Sequence, residues 1–182
     1  MSITVGVLAI QGDVHENITS TQTALKELSI EGAVVGVKTA DDISKLDGLI
    51  IPGGESTTIG QLSLVNSSLK IIKEKIEHGM PVLGICAGMI MLSKTANDRI
   101  VGKTDQPLLG LLDIKLERNS FGRQKESFEA DISMNSINIP KFNEKIVAVK
   151  KGSMIGVAFH PELTKDVSLH KYFVNLIKKS KN

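Results

Sequence analysis

Tryptophan is absent from this chain, tyrosine and cysteine each occur once, and phenylalanine occurs five times. One cysteine cannot form an internal disulfide, and no Cys/His cluster with metal-ligand spacing is present, so neither a disulfide scaffold nor a metal or other cofactor is expected. A reducing cytoplasm is the natural compartment. Few aromatic rings and a formal net charge of only +2 argue against nucleic-acid binding, which combines a basic face with stacking platforms. The nearest approach to a basic run, Lys178-Lys179-Ser180-Lys181, reads as a solvated helix end. The opening Met-Ser-Ile-Thr-Val-Gly-Val-Leu-Ala-Ile lacks the basic start and small-residue cleavage site of a signal peptide. It is also too short to cross a bilayer, so it reads as a first buried strand.

What remains is an ordinary globular composition, 41% hydrophobic and 23% charged over 182 residues. A chain of this length forms one compact domain, residues 1–182, that buries roughly two thirds of its unfolded surface. Apolar runs rich in Val and Ile predict strands over Ile3 to Ile10, Ala33 to Val37, Gly48 to Ile51 and Val82 to Ile85. Helical spacing covers Glu16 to Leu28 and Leu69 to His78, and Ala40 to Leu46 reads as one short turn of helix. Strand and helix in alternation predict a mostly parallel sheet covered on both faces. The second half changes texture. Leu111 to Glu117, Phe128 to Ile132, Ile146 to Lys150 and Met154 to Phe159 read as strands added antiparallel to that sheet, and a helix over about Val167 to Lys179 closes the chain. The expected fold is therefore α/β, a single-domain three-layer arrangement with a mostly parallel central sheet and antiparallel additions.

The cysteine stands at a distinctive place. Pro81-Val-Leu-Gly-Ile85 reads as a buried strand and Ala87-Gly-Met-Ile-Met-Leu92 as the helix that follows, so Cys86 sits at the turn between them. Gly84 and Gly88 flank it, as in the Gly-x-Ser-x-Gly nucleophile elbow, where the turn is so tight that residues two positions away lack side chains. A thiol at a helix start also meets the positive end of the helix dipole, which favours the thiolate. The ordinary reading of a lone cysteine is a small buried hydrophobe; the strand, the paired glycines and the helix start point instead to a nucleophile.

A cysteine nucleophile needs a base, and the base an orienting group. Phe159-His-Pro-Glu162 follows a predicted strand; proline keeps His160 out of helix, and in extended backbone positions i and i+2 face the same way. Glu162 is thereby expected to reach His160. His15, His78 and His170 fall on or at the end of predicted helices with no such acid beside them. Gly48-Leu-Ile-Ile-Pro-Gly-Gly-Glu-Ser-Thr57 is a strand running into a glycine-rich loop and then a helix, and its glycines allow backbone N–H groups to face an oxyanion. It lacks the Gly-Lys-Ser/Thr ending of a phosphate loop and the spacing of Gly-x-Gly-x-x-Gly.

These segments together resemble the triad class of glutamine amidotransferases, and within it the glutaminase subunit of the two-component pyridoxal phosphate synthase. The resemblance spans nearly the whole chain. It rests on Gly6-Val-Leu-Ala-Ile-Gln-Gly12, on Pro52-Gly-Gly-Glu-Ser-Thr-Thr58, on Gly84-Ile-Cys-Ala-Gly-Met89, on Leu109-Gly-Leu-Leu112, on Glu117-Arg-Asn-Ser-Phe-Gly-Arg-Gln124, on Ser127-Phe-Glu-Ala-Asp131 and on Phe159-His-Pro-Glu-Leu-Thr164. The elbow and His-Pro-Glu are common to the amidotransferase class; the Gly-Gly-Glu-Ser-Thr-Thr and Glu-Arg-Asn-Ser-Phe-Gly-Arg strings are far more specific.

The resemblance implies hydrolysis of L-glutamine to glutamate and ammonia. It makes Cys86 the nucleophile, His160 the proton shuttle, Glu162 the orienting acid, and the backbone at Gly54 and Ala87 the oxyanion site. Glutamine contacts carry over to Gly54, Glu55, Ser56 and Arg118, although an isolated arginine is ordinarily a surface charge. The implied partner is a barrel synthase subunit that takes the ammonia through a tunnel and activates the glutaminase on docking, with Gln11 beside the oxyanion loop and the partner surface. One departure stands out: the family's Ile-Arg-Ala-Pro segment, which also helps hold glutamine, does not occur, and only Ser133 to Lys145 bridges Ile132 and Ile146. The alternatives are a glutaminase subunit of another amidotransferase complex and a catalytically silent regulatory binding module.

Overall fold

The computed structural model describes residues 2–98, 102–118, 141–142 and 145–181. Four parallel β-α units come first: β1 (Ile3–Leu8), α1 (Val14–Glu27), β2 (Gly32–Val37), α2 (Ala40–Ser44), β3 (Gly48–Ile51), α3 (Ser56–Val65), α4 (Ser68–Glu77), β4 (Val82–Ile85) and α5 (Ala87–Leu92). There follow β5 (Ser93–Asp98), β6 (Gly102–Lys103), β7 (Leu112–Arg118), β8 (Lys141–Phe142), β9 (Lys145–Ile146), β10 (Ala148–Lys151), β11 (Met154–Val157) and α6 (Ser168–Ser180). Local chemistry explains several boundaries. Thr39 and Asp42 form a reciprocal capping box at the start of α2, and Glu55 caps α3 by accepting from the backbone N–H of Thr58 at 2.6 Å. Gly79, with φ +98, takes the left-handed position just past α4 that a residue with a Cβ adopts only at a cost.

The main sheet has the order β10-β11-β4-β3-β1-β2, parallel throughout except for β10, which runs antiparallel to β11. Its central strands β1, β3, β4 and β11 are buried on both faces, whereas the edge strands β2 and β10 are largely exposed. Leu49 and Ile51 point into one core with Ile59, Ile72 and Met91 beneath α2–α5, while Ile50, Leu83 and Ile85 point into the other with Phe173, Val174 and Ile177 beneath α1 and α6. Each such side chain is worth roughly 1.5–3 kcal/mol of burial, which fixes the sheet's register far more firmly than any surface ion pair. Successive strands lie on opposite sides of β1: β2 on one, then β3, β4 and β11 on the other. That reversal is the topological switch point, and ligands in such sheets bind in the crevice beyond the carboxyl ends of the strands flanking it.

Most of the expected elements are found, within a residue or two at their ends. The first strand stops at Leu8 instead of Ile10, although Ala9 still donates to Val37 at 2.8 Å. The second half differs more. Met154–Val157 is not an antiparallel addition but a parallel strand against β4, fully inside the sheet, with Ile155 and Val157 buried. Of the expected antiparallel additions to this sheet, β10 alone is found among the described residues. The Leu111 to Glu117 segment does not join the main sheet at all: β7 pairs parallel with β5 in a second, three-stranded sheet of order β6-β5-β7. Strand β5 was not expected, because Ser93-Lys-Thr-Ala-Asn-Asp98 has little apolar character; only Ser93 and Ala96 face inward. The expected strand Phe128 to Ile132, and most of the Ser133 to Lys145 bridge, lie outside the described residues.

Candidate active site

Cys86 occupies a strained corner. Its φ of 49° and ψ of −101° are rare for a residue with a Cβ, and they are held from both sides. Its N–H donates to the Val157 carbonyl at 2.7 Å, and its own carbonyl accepts from Ile90 at 3.2 Å. The two flanking glycines are required by packing. A Cβ on Gly84 would lie 2.6 Å from the Gly88 carbonyl oxygen, and one on Gly88 would collide with the carbonyl of Ile51 at the end of β3. The thiol is half-buried at the carboxyl end of β4, with the first N–H groups of α5, beginning at Ala87, without helical partners.

Strand β11 is paired with β4 so that Val157 lies beside Ile85, and His160 follows three residues later. The extended i, i+2 geometry expected from the sequence is not what brings Glu162 to it. Pro161 starts a single 3₁₀ turn, Pro161–Leu163, with His160 at φ −110° and ψ 82° just before it. The turn swings Glu162 back so that its Oε1 accepts from His160 Nδ1 at 2.9 Å. Glu162 is buried, only 5% exposed. With Nδ1 engaged there, hydrogen bonds to Cys86 and then to Glu162 push the imidazole up to about 10, against the opposing effect of burial. The other histidines behave otherwise. His170 is fully buried on α6, its Nε2 facing Asn17 Oδ1 at 3.3 Å, and burial pushes it down to about 4. His78 bonds the Glu74 carbonyl of its own helix, and His15 is exposed on α1.

The glycine-rich loop lies beside this pair. A Cβ on Gly53 would come within 2.9 Å of both His160 Nδ1 and Asp13 Oδ2, so the absence of a side chain there is what lets the imidazole sit against the loop. The Gly53 carbonyl accepts from the Asp13 N–H at 3.2 Å, which, in a trans peptide, turns the Gly54 N–H to the opposite side. Gly54 has φ +149, and Gln11 Oε1 reaches across to accept from the Glu55 N–H at 2.7 Å. Gln11 thus meets the loop where it was expected to, and is itself exposed.

Arg118 is not an isolated surface charge. Its guanidinium donates to Glu55 Oε1 at 2.8 Å, to Thr57 Oγ1 at 3.1 Å and to Gln106 Oε1 at 3.0 Å. Burial raises the Glu55 carboxyl, but hydrogen bonds from Thr58 and Thr57 outweigh it and hold the group below the usual range. The Ser56 hydroxyl turns inward, 2% exposed at the residue level, and bonds Gln106 Oε1 at 3.2 Å. Of the expected glutamine contacts, Glu55 and Arg118 are joined directly, whereas the Ser56 side chain is committed to the interior. Gln106 was not anticipated, and nothing in its surroundings, Thr104-Asp-Gln-Pro107, marks it. Asp13 was missed as well. Its Oδ2 lies 3.4 Å from His160 Nδ1, and its only sequence signal is its place just past Gly12, at the start of α1.

Asp13, His160 and Glu162 are the group among the described residues whose donor atoms converge within 4.8 Å. The imidazole nitrogen that faces both acids already donates to Glu162, so the convergence is that of a hydrogen-bonded relay. No helix among the described residues is long and apolar enough to cross a membrane. A sulfur held at a helix start, an imidazole against it, a buried acid behind and a glycine-lined backbone loop alongside are the parts that nucleophilic acyl transfer requires.

Comparison with known proteins gives the family of the chain. The chain is 57% identical over 204 aligned positions to the pyridoxal 5'-phosphate synthase subunit PdxT of Nitrosopumilus maritimus, with all of both chains covered. Since this chain has 182 residues, that relative carries stretches with no counterpart here. It is 41% identical to the PdxT subunit of Staphylothermus marinus, over 95% of this chain and 98% of that one. A crystal structure of a glutamine amidotransferase, 37% identical, superposes with a TM-score of 0.79 over 96% of this chain and 98% of the other. Residues 7–144 match the profile of the SNO glutamine amidotransferase family, and the chain belongs to that family.

Proposed function

We propose that this protein hydrolyses the side-chain amide of L-glutamine and serves as the glutaminase subunit of a pyridoxal 5'-phosphate synthase. The observation that carries the reading is the contact line from Cys86 through His160 to Glu162 beside the Gly53-Gly54 loop, in a chain 57% identical to a PdxT subunit. Cys86 is the nucleophile, and as a cysteine it acts through its thiolate. Its Sγ attacks the amide carbon of glutamine. The carbonyl oxygen takes up the negative charge and is stabilised by the backbone N–H groups of Ala87 and Gly54. His160 gives its proton to the departing nitrogen, and ammonia leaves behind a γ-glutamyl thioester. Water then attacks the thioester carbon and passes a proton to His160, glutamate departs, and the thiolate is restored. Glutamine and water are consumed, glutamate and ammonia are produced, and no redox partner is needed.

Glu162 keeps the imidazole aimed at sulfur and supports its positive charge, which is consistent with its burial and its 2.9 Å contact. Arg118 supplies the fork for the α-carboxylate of glutamine, and Glu55 holds Arg118 in place and offers a carboxylate for the substrate's α-amino group. The Arg118–Glu55 pair is partly exposed and so worth at most about 1 kcal/mol of stability, which favours a recognition role over a structural one. A free thiol nucleophile suits the cytoplasm. The partner is a barrel synthase subunit that accepts the ammonia, with Gln11 placed on the loop that docking would address.

Ammonia release from L-glutamine, measured with the chain alone and mixed with a pyridoxal 5'-phosphate synthase barrel subunit, tests both parts. A low rate that rises severalfold on mixing is expected. No ammonia in either arm would remove the glutaminase assignment; a high rate unchanged by the partner would remove the subunit assignment.

A further inference from the structure

An aspartate at a helix start ordinarily caps its own helix, its carboxylate accepting from the second or third N–H of the first turn. Asp13 stands at the N-cap of α1 and makes no such bond. Its Oδ2 instead lies 3.4 Å from Nδ1 of His160, the same nitrogen that donates to Glu162 at 2.9 Å. Two carboxylates from different elements thus converge on one imidazole nitrogen, one buried and rigid, the other half-exposed.

Asp13 is held there by its main chain. Gly12, at φ +109, lets the loop turn tightly against Gly53, the Asp13 N–H donates to the Gly53 carbonyl at 3.2 Å, and the Asp13 carbonyl accepts from the buried Asn17 side chain at 2.8 Å. Asn17 is in turn fixed by His170 from α6. The groups facing His160 are Cys86 at the start of α5, Glu162 in the 3₁₀ turn and Asp13 at the start of α1, with uncharged Gly53 packed between. Those facing Asp13 are His160, Glu162 and, one turn along its own helix, Glu16. Burial lifts the Asp13 carboxyl above its usual range, His160 draws it back down, and the two glutamates lift it further.

We propose that Asp13 is a second acid on His160, a positioning residue that shares the Nδ1 proton with Glu162 and ties the imidazole to the glycine-rich loop. This assignment rests on the reading of Cys86 and His160 as the reactive pair. The two acids divide the task. Glu162 sets the ring from within the fold, while Asp13, hydrogen-bonded through its backbone to Gly53, links the ring's orientation to the peptide that carries the Gly54 N–H. Loss of either acid alone leaves the other within reach of Nδ1, and loss of both leaves the proton without a charged acceptor.

Because the chain has one cysteine, alkylation by iodoacetamide reports the sulfur–imidazole pair without requiring turnover of glutamine. Its pH profile would be measured for the unaltered protein and for Asp13→Asn, Asp13→Glu, Glu162→Gln and the Asp13→Asn/Glu162→Gln double variant, with ammonia release from L-glutamine measured in parallel. Asp13→Asn should move the His160-linked phase of the profile to lower pH by roughly half a unit to one unit, since the imidazolium loses a neighbouring negative charge. It should lower kcat roughly three- to tenfold with little change in KM, and Asp13→Glu should restore most of the loss. The double variant should lose more activity than the product of the two single losses. A profile for Asp13→Asn superimposable on that of the unaltered protein, together with a double variant no worse than Glu162→Gln, overturns the proposal. Asp13 is not used as a side-chain cap, so its replacement leaves the helix start intact, and circular dichroism checks this for each variant. A shifted alkylation profile in a protein that released no ammonia would support Asp13's role while removing the glutaminase reading, so the two can fail separately.

Discussion

The N–H of Cys86 donates to the carbonyl of Val157 at 2.7 Å, joining two residues 71 positions apart at the end of the β4–β11 ladder. This bond does two things at once. It holds the cysteine corner in its unfavourable φ, ψ, and it fixes the point from which the chain runs on to His160. The sulfur and the imidazole meet because their strands are neighbours in register.

Cys86→Ala is expected to abolish ammonia release, by at least about a thousandfold, with the fold retained, because a methyl side chain fits the corner. Cys86→Gly should be as inactive yet more stable by about 1 kcal/mol, since glycine adopts φ 49° without strain. Thermal unfolding of the three proteins checks this; a Gly variant less stable than the Ala variant would mean that the corner is not strained.

Gly53→Ala should lower kcat at least about a hundredfold while leaving the protein folded. Its Cβ would press on His160 and on Asp13, moving the ring without touching the core. Gly88→Ala should instead fail to fold stably, because there the obstacle is the Ile51 backbone. Soluble yield and circular dichroism separate the two outcomes.

Replacing Arg118 by Lys keeps the charge and removes the planar fork. KM for glutamine is expected to rise roughly tenfold or more with kcat little changed, and stability to shift by less than about 1 kcal/mol. Steady-state kinetics and urea unfolding on one preparation distinguish this from a structural role, in which stability would fall and KM would hold.

His170 gives a pH dependence of stability with a definite sign. It is buried with its proton-binding tendency pushed down to about 4, from about 6.5 when unfolded, burial being the main cause and Glu162 and Asp166 opposing it. Between these values the unfolded chain binds a proton that the folded one does not, so stability is fully present above about pH 6.5 and declines as pH falls toward 4, by on the order of 3 kcal/mol. In His170→Gln this part of the acid limb should disappear. Urea midpoints at pH 4.5, 5.5, 6.5 and 7.5 measure it; an unchanged slope in the variant would show that other groups carry the effect.

The candidate site was legible in the sequence wherever the requirement was local. Gly84, Cys86 and Gly88 lie within five residues because a tight turn imposes its needs on immediate neighbours, and the parallel first half could be read from strands too apolar to face water. Glu162 was found for a partly mistaken reason: the spacing was right, but a 3₁₀ turn begun by Pro161, not extended backbone, makes the contact. Strand β7 was found but assigned to the wrong sheet, since its partner β5 is polar and carries no strand pattern.

The sequence by itself singled out Cys86, His160, Glu162 and the glycines that make room for them, because these are residue types at short spacing. Only the tertiary structure decided that Asp13 joins Glu162 at His160, that Gln106 gathers Ser56, Thr57 and Arg118, and that Gln11 reaches the Glu55 backbone. Those contacts join segments distant in sequence, the Gln106 cluster reaching Arg118 at the end of β7 in the second sheet. The contacts of Asp13 and Gln11 depend on the strand order β11-β4-β3-β1, which lines up the carboxyl ends at one edge, and strand order is set by the burial of whole sheet faces, a quantity that no short window of sequence contains.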